Sequence, residues 1–369
     1  MEQQNGSIDK KMLTVATLFS GGGGFDVGAV AAGLTPVFAI DNCPKASAAY
    51  RVNFGNHIVV GDICVQDFAE VTADHLHASP VCKNFSTAKT GAAESEFDLG
   101  CAAAVCRAIE QIKPKTFSLE NVRGYKNSDS FLMIVTTLKS LGYNPAFRVL
   151  NSADYGVPQA RKRLILLGKL GDRPRFPETT HQKPTVQQGL FPKPEWVSWY
   201  DAIADLIPTL KETRLAPWQQ LRVDRERLLS CGEIVLVDGA KCGFRDMSCL
   251  ECDKPCFTIL ANSFTGFSQS PKVCLIEKVG ARSDRPLREI LNDRPVPTLK
   301  ALGQDGHWEQ WIISNGIKIL QTDMRCLARW QSFPGWYELP TARPVACSII
   351  GNSVPPLLAQ RILEVNHVQ

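Results

Sequence analysis

The chain has 369 residues, of which 44% are hydrophobic, and its formal net charge of +4 is small for a protein of this size. This length is sufficient for a large hydrophobic core or for two domains, and the near balance of charge does not by itself predict nucleic-acid binding. No run approaches the ~18 apolar residues needed to cross a bilayer, so a membrane-spanning protein is not expected. The 13 cysteines are odd in number and scattered, which favours a reducing compartment such as the cytoplasm over secretion.

The first predicted unit is a strand, a glycine-rich loop and a helix. Residues 12–19 form an apolar, β-branched run that ends in Ser-Gly-Gly-Gly-Gly at 20–24, and helical spacing follows as far as Leu34. Glycines let a ligand approach the backbone, and a helix N-terminus favours an anionic or polar group. The dinucleotide fingerprint Gly-x-Gly-x-x-Gly fits in no register, which argues against a nicotinamide cofactor.

Two further strands are predicted to end in carboxylates beside that loop. Residues 36–40 precede Asp41, and residues 57–61 precede Asp62 and Ile63. An acid about twenty residues after a glycine loop is where nucleotide-binding α/β folds hold a ribose hydroxyl. Asp62 and Ile63 provide a carboxylate and an apolar side chain suited to the amino group and ring of adenine. The three strand ends therefore predict one nucleotide-like ligand.

The segment 77–86, His-Ala-Ser-Pro-Val-Cys-Lys-Asn-Phe-Ser, places Cys82 at the end of a predicted buried strand. Pro80 fixes the backbone beside the thiol, and the polar neighbours give it a route to partial exposure, which a nucleophile needs. Taken alone, such a residue is more often a buried structural cysteine. Cys82 is therefore a candidate nucleophile whose role depends on the rest of the chain.

A carboxylate follows the next predicted strand. A helix over residues 98–112 leads into a strand over residues 115–119, which ends in Glu120 and Asn121. The carboxyl edge of the sheet is where open α/β folds carry out their chemistry. From spacing alone, acid catalysis and a structural ion pair are equally good interpretations of Glu120.

Basic residues alternate at the start of a later strand. A helix over residues 131–141 and a strand over residues 146–150 precede Arg161 and Arg163. Side chains two positions apart on a strand share a face, so both guanidinium groups can reach one acceptor or adjacent phosphates. Without further context, such residues are more often a solvated strand edge.

The regular alternation of strands and helices ends near residue 171, where prolines become frequent. Residues 171–321 are predicted to form an irregular, strand-rich domain after a short helix over residues 199–206. The spacing Cys-x6-Cys-x2-Cys-x3-Cys that starts at Cys242 lacks the paired Cys-x-x-Cys units of zinc sites, so no metal is expected. We therefore predict a catalytic and cofactor-binding domain at 12–170, a second domain at 171–321, and a C-terminal segment at 322–369 that returns to the first.

These blocks occur in the order found in the bacterial DNA (cytosine-5) methyltransferases, which the chain resembles over nearly its whole length. The loop around Cys82 is similar to the family's Pro-Pro-Cys-Gln-x-Phe-Ser, with Val81 in place of the second proline and Lys83 in place of the glutamine. The triplet at 120–122 is identical to the family's Glu-Asn-Val block. We expect the positive charge of Lys83 to lower the pKa of the Cys82 thiol.

The resemblance implies the fold, the cofactor and the site residues. The implied fold is α/β, with a Rossmann-like, mostly parallel sheet flanked by helices as in class I methyltransferases, and with the smaller domain as the target-recognition domain. The implied methyl donor is S-adenosyl-L-methionine. Its implied contacts are Phe19, Ser20, Gly21, Gly23, Gly24, Asp41, Asp62, Ile63, Asn352 and Ser353. The implied catalytic residues are Cys82, Glu120, Asn121, Arg161 and Arg163.

The reaction that the resemblance implies is methylation of carbon 5 of cytosine in a specific double-stranded DNA sequence. Cys82 would add to carbon 6 of a flipped base, Glu120 would hydrogen-bond ring nitrogen 3, and Arg163 would polarise the ring carbonyl. A monomer in the prokaryotic cytoplasm, associated with the nucleoid, is expected. A restriction-modification role beside a cognate restriction endonuclease and a solitary regulatory role are equally compatible with the sequence.

Two other functions compete with this prediction. One branch of the family methylates tRNA and carries a Cys-Phe-Thr element, which Cys256-Phe257-Thr258 resembles. A catalytically silent DNA-binding regulator is the other, in which the changes at Val81 and Lys83 have removed activity. The long segment after residue 171 favours DNA over tRNA, and the joint presence of Cys82, Glu120 and Arg163 argues against a silent protein.

Overall fold

The computed structural model describes residues 12–81, 94–183, 193–213 and 322–367, together with the backbone of short strands between residues 235 and 321. The strands of the first half are β1 (Leu13–Leu18), β2 (Leu34–Asp41), β3 (Ile58–Val60), β4 (His75–Ala78), β5 (Thr116–Asn121), β6 (Tyr143–Asn151), β7 (Gln159–Ala160) and β8 (Lys162–Leu170). The described α-helices are α1 (Gly24–Ala31), α2 (Pro44–Phe54), α3 (Glu96–Ile112), α4 (Asp129–Ser140), α5 (Met324–Trp330), α6 (Arg343–Asn352) and α7 (Pro356–His367). Short 3₁₀ helices span Ile63–Val65, Arg123–Asn127, Ser152–Tyr155 and Ile207–Thr209.

The central feature is a seven-stranded sheet in the order β3-β2-β1-β4-β5-β8-β6. Strands β1 to β5 are parallel, and β8 alone runs against its neighbours β5 and β6. The predicted mostly parallel sheet is therefore confirmed. Its strand order reverses between β1 and β4, and open α/β sheets bind ligands in the crevice at the carboxyl ends of the strands at such a point. The loops after β1 and β4 border this crevice.

The main core lies between this sheet and α3 and α4. Helix α3 begins where a capping box forms: Ser95 accepts a hydrogen bond from the Asp98 backbone N–H, and the Asp98 carboxylate accepts one from the Ser95 N–H. Its buried face includes Val105 and Ile109, which pack with Phe117 of β5. Burial of this face holds the carboxyl ends of β4 and β5 in place.

The C-terminal segment packs against the first unit of the chain. A methyl group added at Gly28 of α1 would lie 2.3 Å from the Pro356 carbonyl oxygen and 2.6 Å from Ala359 Cβ, so only glycine allows α1 and α7 to approach this closely. Val15 of β1 belongs to the same apolar cluster as Leu363 of α7. The end of the chain is thus brought next to β1.

A second, six-stranded sheet lies farther along the chain. Its strands are β9 (Lys211–Thr213), β10 (Val235–Asp238), β11 (Leu275–Glu277), β12 (Arg288–Ile290), β14 (Gln310–Ser314) and β15 (Lys318–Gln321), while β13 (Val296–Pro297) pairs with β7. The described strand pairs of this second sheet are antiparallel. Short strands were predicted for this part of the chain.

Three local predictions differ from the structure. The helix predicted to continue to Leu34 ends at Ala31, because Gly33 has a φ of 82° and Leu34 already begins β2. Glu120 lies inside β5 instead of after it. The helix predicted over residues 199–206 is wrong, because this segment forms turns whose bonds include Ile203 N–H to the Tyr200 carbonyl.

Candidate active site

In the glycine-rich loop that follows β1, alternate residues adopt a left-handed backbone conformation. Phe19 has a φ of 56°, Gly21 of 55° and Gly23 of 86°. The Ser20 N–H donates to the Ile40 carbonyl at 3.1 Å, which ties the loop to the end of β2. A methyl group added at Gly21 would meet no atom of the described residues within 4 Å, so this part of the loop is not packed against them. A ligand can therefore reach the backbone at Gly21.

Gly22 and Gly24 pack against side chains of the C-terminal segment. A methyl group at Gly22 would lie 2.5 Å from Ile349 Cγ2, and one at Gly24 would lie 2.6 Å from the Ser353 side chain. Tyr337 donates a hydrogen bond to the Gly22 carbonyl oxygen at 2.5 Å. The C-terminal segment thus determines the position of the loop, and only glycine fits between the two.

Asp41 lies at the edge of the crevice and accepts two backbone hydrogen bonds. Its Oδ2 accepts from the Gly21 N–H and its Oδ1 from the Cys43 N–H, both at 2.8 Å. Burial raises the pKa of this carboxyl above its usual range, while the two N–H donors lower it. The carboxylate is therefore held rigidly against the glycine loop, with its remaining lone pairs available to hydroxyl donors.

Asp62 and Ile63 follow β3 in a short 3₁₀ helix. The exposed Asp62 caps this helix by accepting a hydrogen bond from the Cys64 N–H at 2.9 Å. Ile63 is 6% exposed and belongs to the main core. Asp62 and the apolar Ile63 thus follow β3 at the same edge of the sheet at which Asp41 ends β2.

The segment after β4 leads to the candidate nucleophile. Asn121 at the end of β5 donates from Nδ2 to the Pro80 carbonyl oxygen at 3.1 Å, and its Oδ1 accepts from the Val122 N–H at 2.8 Å. Asn121 is 2% exposed, so this bond is protected from water. The segment that precedes Cys82 is therefore tied to β5, while Cys82 and Lys83 themselves lie outside the described residues.

Glu120 is a buried carboxylate that faces two arginines. Its Oε1 lies 2.9 Å from Arg163 Nε and 3.8 Å from Arg161 Nη2. Arg161 also donates from Nη1 to the Gly351 carbonyl oxygen at 3.1 Å. The prediction that both guanidinium groups reach one acceptor is consistent with this geometry. Two guanidinium groups therefore converge on one buried carboxylate at this edge of the sheet.

Asn352 and Ser353 lie where α6 ends. Ser353 donates from its hydroxyl to the Ile349 carbonyl oxygen at 2.7 Å and is buried against Gly24. Asn352 is exposed and bonds to the Ser348 hydroxyl at 3.3 Å. Ser353 therefore supports the glycine loop through packing, and the amide of Asn352 is accessible to solvent.

The chain matches a family model over most of its length. The model, described as C-5 cytosine-specific DNA methylase, covers residues 13–366. The chain belongs to this family. It is therefore a DNA (cytosine-5-)-methyltransferase, an enzyme that acts on DNA, as predicted.

Relatives of this methylase are bacterial enzymes. It is 30% identical over 242 residues to Type II methyltransferase M.AquIA of Picosynechococcus sp., a match that covers 59% of this chain and 96% of that relative. It is 26% identical over 385 residues to Type II methyltransferase M1.HphI of Haemophilus parahaemolyticus, which covers 95% of this chain and 86% of that one.

Solved structures share the fold of the methylase. The S. pombe Dnmt2 methyltransferase matches with a TM-score of 0.56 at 17% identity, over 95% of this chain and 97% of that one. Entamoeba histolytica methyltransferase EhMeth matches with a TM-score of 0.55 at 14% identity, over 96% and 98%. The predicted class I methyltransferase fold is confirmed.

The glycine loop of this methylase is supported by side chains that the sequence does not mark as functional. Tyr337 reaches Gly22 across 315 positions, and no sequence signal marks that contact. Asp26 is fully buried under the loop, where its Oδ1 accepts hydrogen bonds from Thr17 at 2.5 Å and Tyr50 at 3.0 Å.

Among the described residues, no group of three or more histidine, cysteine or acidic side chains is arranged to hold a metal ion. No described helix combines the length and apolar character needed to cross a membrane. The four cysteines that start at Cys242 lie outside the described residues.

Proposed function

We propose that this methylase transfers a methyl group from S-adenosyl-L-methionine to carbon 5 of cytosine in a specific duplex DNA sequence, through a covalent adduct between Cys82 and a flipped base. The observation that carries the proposal is that the glycine loop, Asp41 and the Glu120 ion pair border the same carboxyl edge of one sheet as the segment leading to Cys82. This edge contains the point where the strand order reverses, between β1 and β4.

The residues around the glycine loop fit the proposed cofactor. No described side chain fills the space in front of Gly21, and Asp41 stands beside it with lone pairs suited to ribose hydroxyls. Asp62 and Ile63 offer an acceptor and an apolar contact for adenine. Phe19, Ser20, Gly23, Gly24, Asn352 and Ser353 complete the proposed cofactor site. When bound, S-adenosyl-L-methionine supplies a methyl group on a positively charged sulfur.

The proposed chemistry activates a carbon that is itself a poor nucleophile. Addition of the Cys82 thiolate to carbon 6 pushes electron density through the ring to carbon 5. Glu120, oriented by Arg163, hydrogen-bonds ring nitrogen 3, where charge develops during that addition. Asn121 holds the start of the Cys82 loop through Pro80, and Arg161 adds a second positive charge.

Access to the base requires a second binding surface. Carbon 5 is stacked within duplex DNA, and extrusion of the base costs a few kcal/mol. We propose that residues 12–170 form the catalytic domain, that residues 171–321 grip and read the DNA, and that residues 322–369 return to the catalytic domain. The names of the Type II relatives support the further proposal that a cognate restriction endonuclease shares the target. We propose that the protein acts as a monomer at the nucleoid of a bacterial cytoplasm.

Bisulfite sequencing of DNA from a host without cytosine methylation tests the proposal. The host expresses either the natural chain or Cys82→Ser, which keeps the size of the side chain and removes the thiolate. We expect methylated cytosines in one short context with the natural chain and none with the variant. Methylation that persists in Cys82→Ser, or methyl transfer to tRNA but not to duplex DNA by the purified enzyme, contradicts the proposal.

A further inference from the structure

Six polar side chains form a continuous run of hydrogen bonds through the central sheet. From the carboxyl edge to the opposite edge, the run is Ser79, His77, Ser118, His75, Thr116 and His367. The successive distances are 2.9, 2.8, 2.8, 2.7 and 2.7 Å. The four inner members are at most 5% exposed, whereas both ends are partly exposed. The run therefore links two partly exposed side chains through four buried ones.

The register of two strands creates this run. His75 and His77 are two positions apart on β4 and share a face, and they pair with Thr116 and Ser118 of β5. Ser79 is the next residue on that face, just beyond the strand. The register that pairs Ala78 with Leu119 would, one step further, set Ser79 beside Glu120. One end of the run thus lies at the strand ends that we assign to the reacting base.

Each of the five hydrogen bonds in the run contains one proton, and all five can donate in the same direction along the run. A neutral imidazole has one donor and one acceptor nitrogen, and a hydroxyl donates once and accepts. Burial keeps both inner histidines neutral, since it lowers the pKa of His77 to about 3 and that of His75 well below its usual range. Phe25 stacks on His77 with the ring centroids 3.5 Å apart and nearly parallel, which fixes that ring. A concerted shift of all protons moves one proton between the ends and leaves no buried charge.

We propose that this run is a proton shuttle for the last step of the methyl transfer, an inference that rests on the function proposed above. In that step the bond from carbon 5 to hydrogen breaks, its electron pair forms the double bond to carbon 6, and the bond from carbon 6 to sulfur breaks with its pair on Cys82. Ser79 takes the carbon 5 proton while His367 releases one to water.

The reverse shift returns the shuttle to its starting state. His367 takes a proton from water, and Ser79 donates one to the Cys82 thiolate that has just left the base. One proton has then left carbon 5 and one has reached sulfur, so the step is balanced without any oxidant or added base. Both hydrogen-bond directions of the run are used once in each turnover.

A purely structural role is the alternative, in which the six side chains only satisfy each other's hydrogen bonds. Both roles predict lower stability when a member is removed, so stability does not separate them. A shuttle also predicts that the methylated base stays attached to Cys82 when the run is cut, because the proton on carbon 5 cannot leave. A purely structural role predicts no accumulation of this covalent adduct.

Ser118→Ala is the variant that cuts the run. His75 and His77 are linked through Ser118, whereas a gap at Thr116 is bridged because His367 Nε2 also lies 3.2 Å from His75 Nδ1. Ser47→Ala is the matched control, since Ser47 is a fully buried serine on α2 whose hydroxyl has no hydrogen-bond partner among the described residues.

The experiment mixes the enzyme with labelled S-adenosyl-L-methionine and duplex DNA that carries its target, and quenches the mixture at successive times. Methyl incorporation and the covalent protein–DNA adduct on a denaturing gel are measured together. For Ser118→Ala we expect methyl incorporation at the natural rate, with the adduct persisting on the order of 10²-fold longer than in the natural enzyme or Ser47→Ala. His367→Gln, at the partly exposed end of the run, is expected to prolong the adduct as well and serves if Ser118→Ala does not fold.

Three outcomes overturn the inference. Adduct lifetimes equal to those of Ser47→Ala show that no proton passes along the run. Slower methyl incorporation without adduct shows that Ser118 only supports the fold of the site. If the natural enzyme itself forms neither methylated DNA nor adduct, the methyl-transfer proposal fails, and the shuttle fails with it.

Discussion

The buried carboxyl of Asp26 should make the stability of this methylase depend on pH, and Asp26→Asn should remove that dependence. Asp26 is fully buried, and its Oδ2 has no hydrogen-bond partner among the described residues. Burial raises its pKa from the ordinary value of 3.8 to about 6, although hydrogen bonds from Thr17 and Tyr50 oppose the shift. The folded state therefore binds this proton more tightly than the unfolded state does.

The size and sign of the effect follow from that difference. Because the pKa is higher in the folded state, the protonated carboxyl stabilises the fold at low pH, and this stabilisation is lost as the pH rises through about 6. The interval between 3.8 and about 6 corresponds to about 3 kcal/mol in total. Of this, about 1.4 kcal/mol is lost between about pH 5 and about pH 8. The side-chain amide that Asp26→Asn introduces does not titrate, so the variant lacks this pH-dependent part of the free energy of unfolding.

Urea unfolding followed by tryptophan fluorescence measures the effect. Trp199 and Trp330 are suitable reporters, since both are fully buried in one core cluster with Val27 of α1. The quantity of interest is the free energy of unfolding of the natural protein minus that of the variant, because other titrating groups largely cancel. We expect this difference to be about 1.4 kcal/mol more positive at about pH 5 than at about pH 8. A difference that is the same at both pH values refutes the reasoning.

Two further substitutions separate catalysis from cofactor binding. Arg163→Ala removes the guanidinium 2.9 Å from Glu120, so single-turnover methyl transfer should fall on the order of 10²-fold while calorimetric binding of S-adenosylhomocysteine is unchanged. An equal loss of that binding would mean that the arginine only supports the fold. Gly22→Ala places a methyl group 2.5 Å from Ile349 Cγ2 and should weaken S-adenosylhomocysteine binding about tenfold. Gly61→Ala, whose added methyl group would lie 3.8 Å from its nearest neighbour, is the control and should bind normally.

Much of the sheet could be predicted from short-range patterns. Apolar, β-branched runs and the glycine segment marked β1 and its loop, and the acid after the second run marked Asp41. These predictions succeeded because a buried parallel strand is an almost continuous apolar run that ends where polar residues begin. The segment at 199–206 failed because its apolar spacing is equally compatible with turns packed against a core.

The sequence by itself determined which residue types were available at each strand end, and a resemblance along most of the chain indicated their chemistry. Only the tertiary structure decided which of them meet. Arg161 and Arg163 converge on Glu120 because β8 runs antiparallel to β5, a pairing that no local pattern encodes. Ser118 lies between two histidines because of the register of β4 and β5, and a slip of one residue would turn its side chain to the other face of the sheet.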